Sequence, residues 1–95
     1  MTIEFTHHTW DDFEYWIEND QEIVIRIKDL LKEITKTPFH GLGKPEPLKY
    51  DLKGFWSRRI NGEHRLVYFI EGKKGKNQRC TVIQCRFHYD LPTKK

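Results

Sequence analysis

The chain has 95 residues, of which 37% are hydrophobic, 33% charged and 14% aromatic, and this predicts a single folded domain over 1–95 and excludes a disordered chain. No apolar run approaches the roughly 20 residues of a membrane-spanning helix, and the first residues lack the basic and apolar segments of a secretory signal. We therefore expect a cytoplasmic protein with no membrane partner.

The net charge of +3 hides an uneven distribution along the chain. Residues 1–35 carry nine acidic and three basic residues, a net charge of −6, whereas residues 36–95 carry fourteen basic and five acidic residues, a net charge of +9. A basic second half is typical of binding to a polyanion such as nucleic acid. A solvated basic face without any partner would give the same distribution.

The first nineteen residues predict a strand followed by a helix. Polar and apolar residues alternate over 2–6, which places Ile3 and Phe5 on one face of a strand. Thr9 is the predicted N-cap of a helix over 10–19. The apolar stripe of this helix consists of Trp10, Phe13, Trp16 and Ile17.

A second helix is predicted over 21–35, with Asp20 as its N-cap. Pro38 ends it, because proline cannot continue the helical hydrogen bonding and disfavours helical geometry in the residue before it. Its apolar stripe consists of Ile23, Ile27, Leu30, Leu31 and Ile34. The two stripes have to pack on a sheet formed by the rest of the chain.

The segment 36–55 is rich in proline and glycine and poor in apolar residues. This predicts an ordered loop, with a short strand near Leu48–Leu52. Loops of this length inside a small domain are usually functional or disordered. The prolines and the charged residues favour a functional loop.

The remaining chain predicts antiparallel strands. Asn61-Gly62 is a strong hairpin signal between the alternating runs Trp56–Ile60 and Glu63–Ile70. Glu71–Arg79 is predicted as a polar loop, and Cys80–Phe87 as the returning strand. The resulting order of elements indicates an α+β fold, with an N-terminal strand, a two-helix hairpin and then antiparallel strands, and with the helices on one face of the sheet. The other face is free for function.

Cys80 and Cys85 are predicted to be reduced, packed thiols. Their separation of five would place them on opposite faces of one strand, which disfavours a disulfide. No cysteine or histidine spacing is typical of a metal site. We therefore expect neither a metal nor a cofactor.

Basic residues interleave with the predicted strands where a buried pattern does not require them. Arginines on an exposed sheet face fit phosphate groups, since the guanidinium binds two phosphate oxygens at once. Trp56 and Tyr89 could stack on bases. Together with a carboxylate, Glu46 or Glu63, the arginines and His88 could cleave RNA without a metal. The residues alone indicate a small α+β domain that binds RNA or another polyanion.

Linked motifs make the interpretation more specific. They are Lys-Pro-Glu-Pro at 44–47, Trp-Ser-Arg-Arg-Ile at 56–60, Glu-His-Arg-Leu-Val-Tyr at 63–68 and His-Tyr at 88–89. In this combination, over nearly the whole chain, the sequence resembles the YoeB (Txe) toxins of bacterial toxin–antitoxin pairs, within the RelE superfamily. Those toxins are ribosome-dependent mRNA endonucleases with a fold like that of microbial RNases, and they cleave mRNA in the ribosomal A site.

The resemblance implies a role for individual residues. Glu46 would be the general base, Arg65 would stabilise the transition state, His88 would be the general acid and Tyr89 an orienting aromatic. Lys49 and Arg59 match basic positions that hold RNA phosphates. The other basic residues that we expect to contact RNA are Lys44, Arg58, Lys73, Lys74 and Lys76.

The expected partners are the ribosome with its mRNA, a cognate antitoxin with an acidic, amphipathic segment, and a second copy of the toxin in a homodimer. Two departures from the family are a longer loop at 71–79 and a tail at 90–95. Two other functions stay open. One is a ParE-like toxin that poisons gyrase by binding it, and the other is a non-catalytic module that binds nucleic acid.

Overall fold

The computed structural model describes residues 1–88, in which two helices pack on one face of a five-stranded sheet. The elements are β1 (Thr2–Phe5), α1 (His7–Asn19), α2 (Gln21–Lys36), β2 (Glu46–Pro47), β3 (Trp56–Arg59), β4 (Arg65–Lys73) and β5 (Lys76–Gln84). The strand order is β1-β5-β4-β3-β2, with β1 parallel to β5 and the other pairs antiparallel. The predicted α+β class is confirmed. Within residues 1–88, neither helix is long and apolar enough to cross a membrane.

Helix α1 begins earlier than predicted. Thr6 is the N-cap, since its Oγ1 accepts the Thr9 backbone N–H at 3.1 Å. The prediction of Thr9 as N-cap is wrong because Thr9 is buried, and its Oγ1 donates to the Val82 carbonyl of β5 at 2.6 Å. Both threonines are suitable caps, so the sequence alone could not separate them.

Side chains of α1 form hydrogen bonds with the backbone of the residue that directly follows β5. Asp12 accepts the Cys85 backbone N–H at 3.1 Å, and the Trp16 indole donates to the Cys85 carbonyl at 2.8 Å. Of the predicted stripe, Trp16 is buried, whereas Trp10 and Ile17 stay 46% and 42% exposed. Part of the α1 stripe therefore lies at the surface.

Helix α2 agrees with its prediction. Asp20 caps it, with its carboxylate accepting the backbone N–H groups of Glu22 and Ile23, and it ends at Lys36, two residues before Pro38. Its fully buried residues are Ile27, Leu30 and Ile34. They join a core that includes Leu66, Tyr68 and Val82 of the sheet.

The β4–β5 hairpin is longer than predicted. The polar segment Glu71–Arg79 is not a loop, because β4 runs to Lys73 and β5 begins at Lys76. Its polar side chains point to solvent and pair across the strands, as when Arg79 donates to Glu71 at 2.8 Å. Polarity alone therefore did not distinguish a loop from an exposed ribbon.

Two further expectations need correction. The strand expected near Leu48–Leu52 is a 3₁₀ turn at Tyr50–Leu52, and the short strand is β2 instead. Cys80 and Cys85 are free, as predicted. They lie in the same core cluster and not on opposite faces, because the pairing with β4 skips one residue of β5 between Val82 and Gln84, and this irregularity shifts the alternation of the strand. Burial raises the pKa of both thiols to about 12.

Candidate active site

The register of the sheet aligns candidate residues on the face opposite the helices. Glu46 pairs with Ser57, Ser57 with Val67 and Val67 with Gln84, in one row across four strands. Arg59 pairs with Arg65 two residues along the same strands. Because the alternate residues of β3 and β4 pack towards the helices, this row faces away from them. Buried Ser57 and Val67 form its floor, while Glu46 and Arg59 are exposed.

Glu46 is placed by a short edge strand. The Arg59 N–H donates to the Gly43 carbonyl at 2.7 Å, and the Leu48 N–H donates to the Phe55 carbonyl at 2.9 Å, so β2 is tied to β3 on both sides of Glu46. The prolines that flank Glu46 lack N–H donors, which an edge strand tolerates. Gly43 has φ +87, and a Cβ there would lie 2.7 Å from the Leu30 side chain. Glycine therefore permits the approach of this segment to α2.

Arg65 opens β4 beside the segment that ends in His88. The Arg65 backbone N–H donates to the Phe87 carbonyl at 3.0 Å, which places His88 next to the first residue of β4. The half-buried Arg65 side chain uses Nη1 to donate to the Asn61 and His64 carbonyls, at 2.8 and 3.1 Å. A guanidinium has five N–H donors, so this anchoring leaves donors for a phosphate.

Glu46 lies across the sheet from Arg65. They are separated by two strand spacings and two residues along the strands, which corresponds to about 12 Å between Cα atoms. Side chains of these lengths can reach towards a phosphodiester between them. His88 is exposed at the same end of the sheet. Tyr89, the predicted orienting aromatic, lies outside the described residues.

Arg58 is not the exposed phosphate ligand that the sequence predicted. It is fully buried on the helix side, where it donates to the Tyr68 hydroxyl at 3.0 Å and to the carbonyls of Leu42 and Thr37 at 2.8 and 2.6 Å. The Thr37 carbonyl lies at the negative end of α2, which favours a cation there. The prediction of an exposed Arg58 is wrong because strand alternation turns this side chain inward.

Tyr68 extends the same network. Its hydroxyl donates to the Pro38 carbonyl at 2.7 Å. Burial raises the pKa of Tyr68 although the Arg58 hydrogen bond opposes it, so the phenol keeps its donor proton. Arg58 and Tyr68 together hold three carbonyls of the segment that leads to Glu46.

The other predicted RNA ligands fall into two groups. Lys44, Lys49 and Arg59 are exposed on or beside β2 and β3, near Glu46. The hairpin lysines (Lys73, Lys74 and Lys76) lie at the tip of the β4–β5 hairpin. That tip is eight residues along β4 from Arg65, about 26 Å. The structure does not bring the hairpin lysines to the candidate active site.

Two of the hairpin lysines, Lys74 and Lys76, line a separate groove of about 760 Å³, between the hairpin tip, the N-terminus and the end of α2. Lys36 and His40 also line it, and none of the lining residues within 1–88 is acidic. Any contact of the hairpin lysines with RNA would therefore be made away from the reacting phosphate.

One of the two aromatic residues predicted to stack on bases, Trp56, does not lie on the candidate face. Trp56 points to the helix side, where it packs against the core and lies 4.9 Å from the Phe39 ring. Phe55 and Phe69 form the aromatic pair on the other face, 5.1 Å apart and edge to face. Strand alternation with Ser57 and Val67 could have identified them. Within residues 1–88, no cluster of three or more His, Cys, Asp or Glu side chains could hold a metal ion.

The sequence and the fold are both similar to those of known proteins. A family profile described as the YoeB-like toxin of bacterial type II toxin–antitoxin systems matches residues 5–89. Toxin YoeB of Escherichia coli K12 is 47% identical over 89 residues, which cover 94% of this chain and all of that protein.

Solved structures show the same similarity. A YoeB/ParE toxin from Agrobacterium tumefaciens superposes with a TM-score of 0.88 at 53% identity, covering 94% of this chain and all of the other. YoeB of Staphylococcus aureus, solved as a dimer and in a heterotetrameric complex with YefM, has TM-scores of 0.83 and 0.82 at 39% identity, covering 94% of this chain and 98% of that one. The chain therefore belongs to the YoeB family of toxins from bacterial type II toxin–antitoxin systems.

Proposed function

We propose that this toxin is a ribosome-dependent endoribonuclease that cleaves mRNA in the A site and so inhibits translation. One observation carries the proposal, namely that Glu46 and Arg65 lie on one face of the sheet and that His88, from a third distant segment, is exposed beside the start of β4. Glu46 lies on the edge strand and Arg65 at the start of β4. His88 follows Phe87, whose carbonyl accepts a hydrogen bond from the Arg65 backbone N–H.

The proposed reaction begins with attack by the 2′-hydroxyl of the RNA. Glu46 removes the hydroxyl proton, and the oxygen bonds to the neighbouring phosphorus. Arg65 stabilises the added charge of the phosphorane. His88 protonates the 5′-oxygen as the phosphorus–oxygen bond breaks, and Tyr89 orients the reacting groups. The products are a 2′,3′-cyclic phosphate and a 5′-hydroxyl.

RNA binding is assigned to exposed cations near this site. Lys44, Lys49 and Arg59 surround Glu46 on the edge of the sheet, where they can neutralise phosphates on either side of the scissile bond. The chemistry needs no metal ion, so cleavage should persist in EDTA when ribosome integrity is controlled.

The partner that restrains the toxin is proposed to be a cognate antitoxin. Support comes from the S. aureus relative, which was solved with YefM, and from the net charge of +9 in residues 36–95. An acidic, amphipathic segment would pair with these cations. The dimer of the same relative supports a homodimer.

Primer extension on translating ribosomes tests the proposal directly. New 5′ ends within codons, produced by the purified toxin and suppressed by its antitoxin, are the expected result. DNA breaks without RNA cleavage would instead indicate gyrase poisoning. Ribosome or RNA binding with no cleavage at all would leave a non-catalytic module.

A further inference from the structure

His64 is a buried histidine whose contacts lie between α1 and the segment that carries His88. It is 8% exposed, and its ring lies 4.7 Å from the Trp16 ring in an edge-to-face arrangement of 78°. The sequence singled out no role for this residue. It precedes Arg65 in the sequence and contacts Phe87, the residue before His88.

The His64 ring accepts a hydrogen bond from the closing segment. The Phe87 backbone N–H donates to His64 Nδ1 at 2.7 Å. An imidazole nitrogen accepts only when it carries no proton, so the neutral ring has its proton on Nε2. That nitrogen faces the Glu63 carboxylate at 3.7 Å.

Phe87 is held at both of its polar backbone groups by consecutive residues. His64 accepts its N–H, and the Arg65 N–H donates to its carbonyl. Phe87 adopts φ +67, a left-handed conformation that is uncommon for a residue with a side chain. Such a conformation persists where surrounding contacts define it. These two hydrogen bonds, together with a third from the Gln84 side-chain amide to the Phe87 carbonyl at 3.2 Å, set the direction in which the chain enters His88.

We infer that His64 is a positioning residue that orients His88 relative to Arg65 through the Phe87 backbone. The inference rests on the proposed function, because it assigns His64 a part in placing the general acid of that reaction. Misplacing a reacting group by about 1 Å can slow a reaction about 100-fold. Loss of the Nδ1 acceptor should thus reduce cleavage without affecting RNA or ribosome binding.

Two substitutions separate the acceptor from the packing of the ring. His64→Phe keeps an aromatic ring against Trp16 and removes the acceptor, whereas His64→Asn offers an amide oxygen near the position of Nδ1. At saturating toxin on programmed ribosomes, we expect His64→Phe to lower the single-turnover rate about 10–100-fold and His64→Asn to recover most of it. Ribosome affinity should stay unchanged in both. His7→Phe, at a histidine side chain that is 92% exposed, is the matched control and should cleave like the wild type.

Nuclear magnetic resonance gives readouts that do not depend on cleavage. Long-range ¹H–¹⁵N spectra of the full chain should show His64 protonated at Nε2 and not at Nδ1. The Phe87 amide should exchange slowly in the wild type and in His64→Asn, and faster in His64→Phe. If His64→Phe does not fold, the tautomer and the comparison of His64→Asn with wild type still decide the inference.

The outcomes are distinct. Wild-type cleavage and a protected Phe87 amide in folded His64→Phe would overturn the inference, as would a His64 proton on Nδ1 or a His64→Asn variant that cleaves much more slowly than wild type. If the wild type itself does not cleave RNA, the proposed function fails, and with it the catalytic part of the inference. The tautomer and the Phe87 exchange would then test the Phe87 contact alone.

Discussion

Replacing Arg58 with lysine should destabilise the fold, although both residues are basic and the same change at Arg59 should be almost neutral. Arg58 is fully buried and makes three hydrogen bonds, to the Tyr68 hydroxyl and to the carbonyls of Leu42 and Thr37. Lysine has one nitrogen on a flexible chain and cannot reach all three acceptors from one position. Arg59 is the next residue of the same strand, and its side chain is exposed.

The expected loss follows from the bonds that disappear. A hydrogen bond to a charged group contributes about 1.5–3 kcal/mol. Lysine would keep one of the three, and water can reach the partly buried carbonyls, so we expect a decrease of about 3 kcal/mol in the free energy of unfolding. For a domain of this size, 3 kcal/mol corresponds to a decrease of roughly 12–24 °C in Tm. An exposed Arg→Lys change usually stays within about 0.5 kcal/mol.

Urea unfolding, followed by tryptophan fluorescence, measures both variants under the same conditions. We expect a large decrease in the urea midpoint for Arg58→Lys and a small one for Arg59→Lys. Equal stability of the two variants would refute the assignment of Arg58 as the anchor of the segment that leads to Glu46.

Three further predictions concern the site, the hairpin and the thiols. Arg65→Ala should raise the barrier to cleavage by about 3 kcal/mol in single-turnover assays, and Arg65→Lys should recover only part of the loss, because lysine lacks the bidentate fork. Replacing the hairpin lysines with glutamine should reduce the slope of the log–log salt dependence of ribosome binding by roughly 0.7–0.9 per lost phosphate contact. Cleavage at saturating toxin should change little, because these lysines lie far from Arg65. An unchanged slope would exclude them from RNA contact. Cys80 and Cys85, with pKa values raised to about 12 by burial, should resist alkylation in the native protein at pH 8. Since the unfolded thiols ionise near their ordinary pKa of 9.0, the free energy of unfolding should fall as the pH rises from about 9 to about 12, and rapid native labelling at pH 8 would contradict their burial.

Local signals predicted much of the fold. The Asp20 cap and the end of α2 before Pro38 depend on neighbours in sequence, and the structure agrees with both. The Asn61-Gly62 signal correctly predicted the β3–β4 hairpin, although the connection spans 60–64 and β4 begins at Arg65 and not at Glu63. The start of α1 was misplaced because a contact with β5 decides between two equally suitable threonines. Such a contact, 73 residues away in sequence, leaves no local signal.

The site was less predictable than the fold. The arginines of β3 look alike in sequence, yet alternation buries Arg58 and exposes Arg59. The hairpin lysines were grouped with the site because they are basic, but charge does not report where a residue lies in the fold. The length of β4 separates them from Arg65. The contact of His64 with Phe87 depends on how the chain turns after β5, and no residue spacing in the sequence predicts that turn.

The most direct test of the central claim is single-turnover cleavage of mRNA on programmed ribosomes at saturating toxin, comparing the wild type with Glu46→Gln and His88→Gln. Both substitutions keep the shape or reach of the side chain but remove its acid–base function, so each should slow cleavage by about 10²–10⁴-fold while ribosome binding is retained. Wild-type rates for both variants would contradict the acid–base mechanism and leave Arg65 and positioning by the ribosome as the source of catalysis.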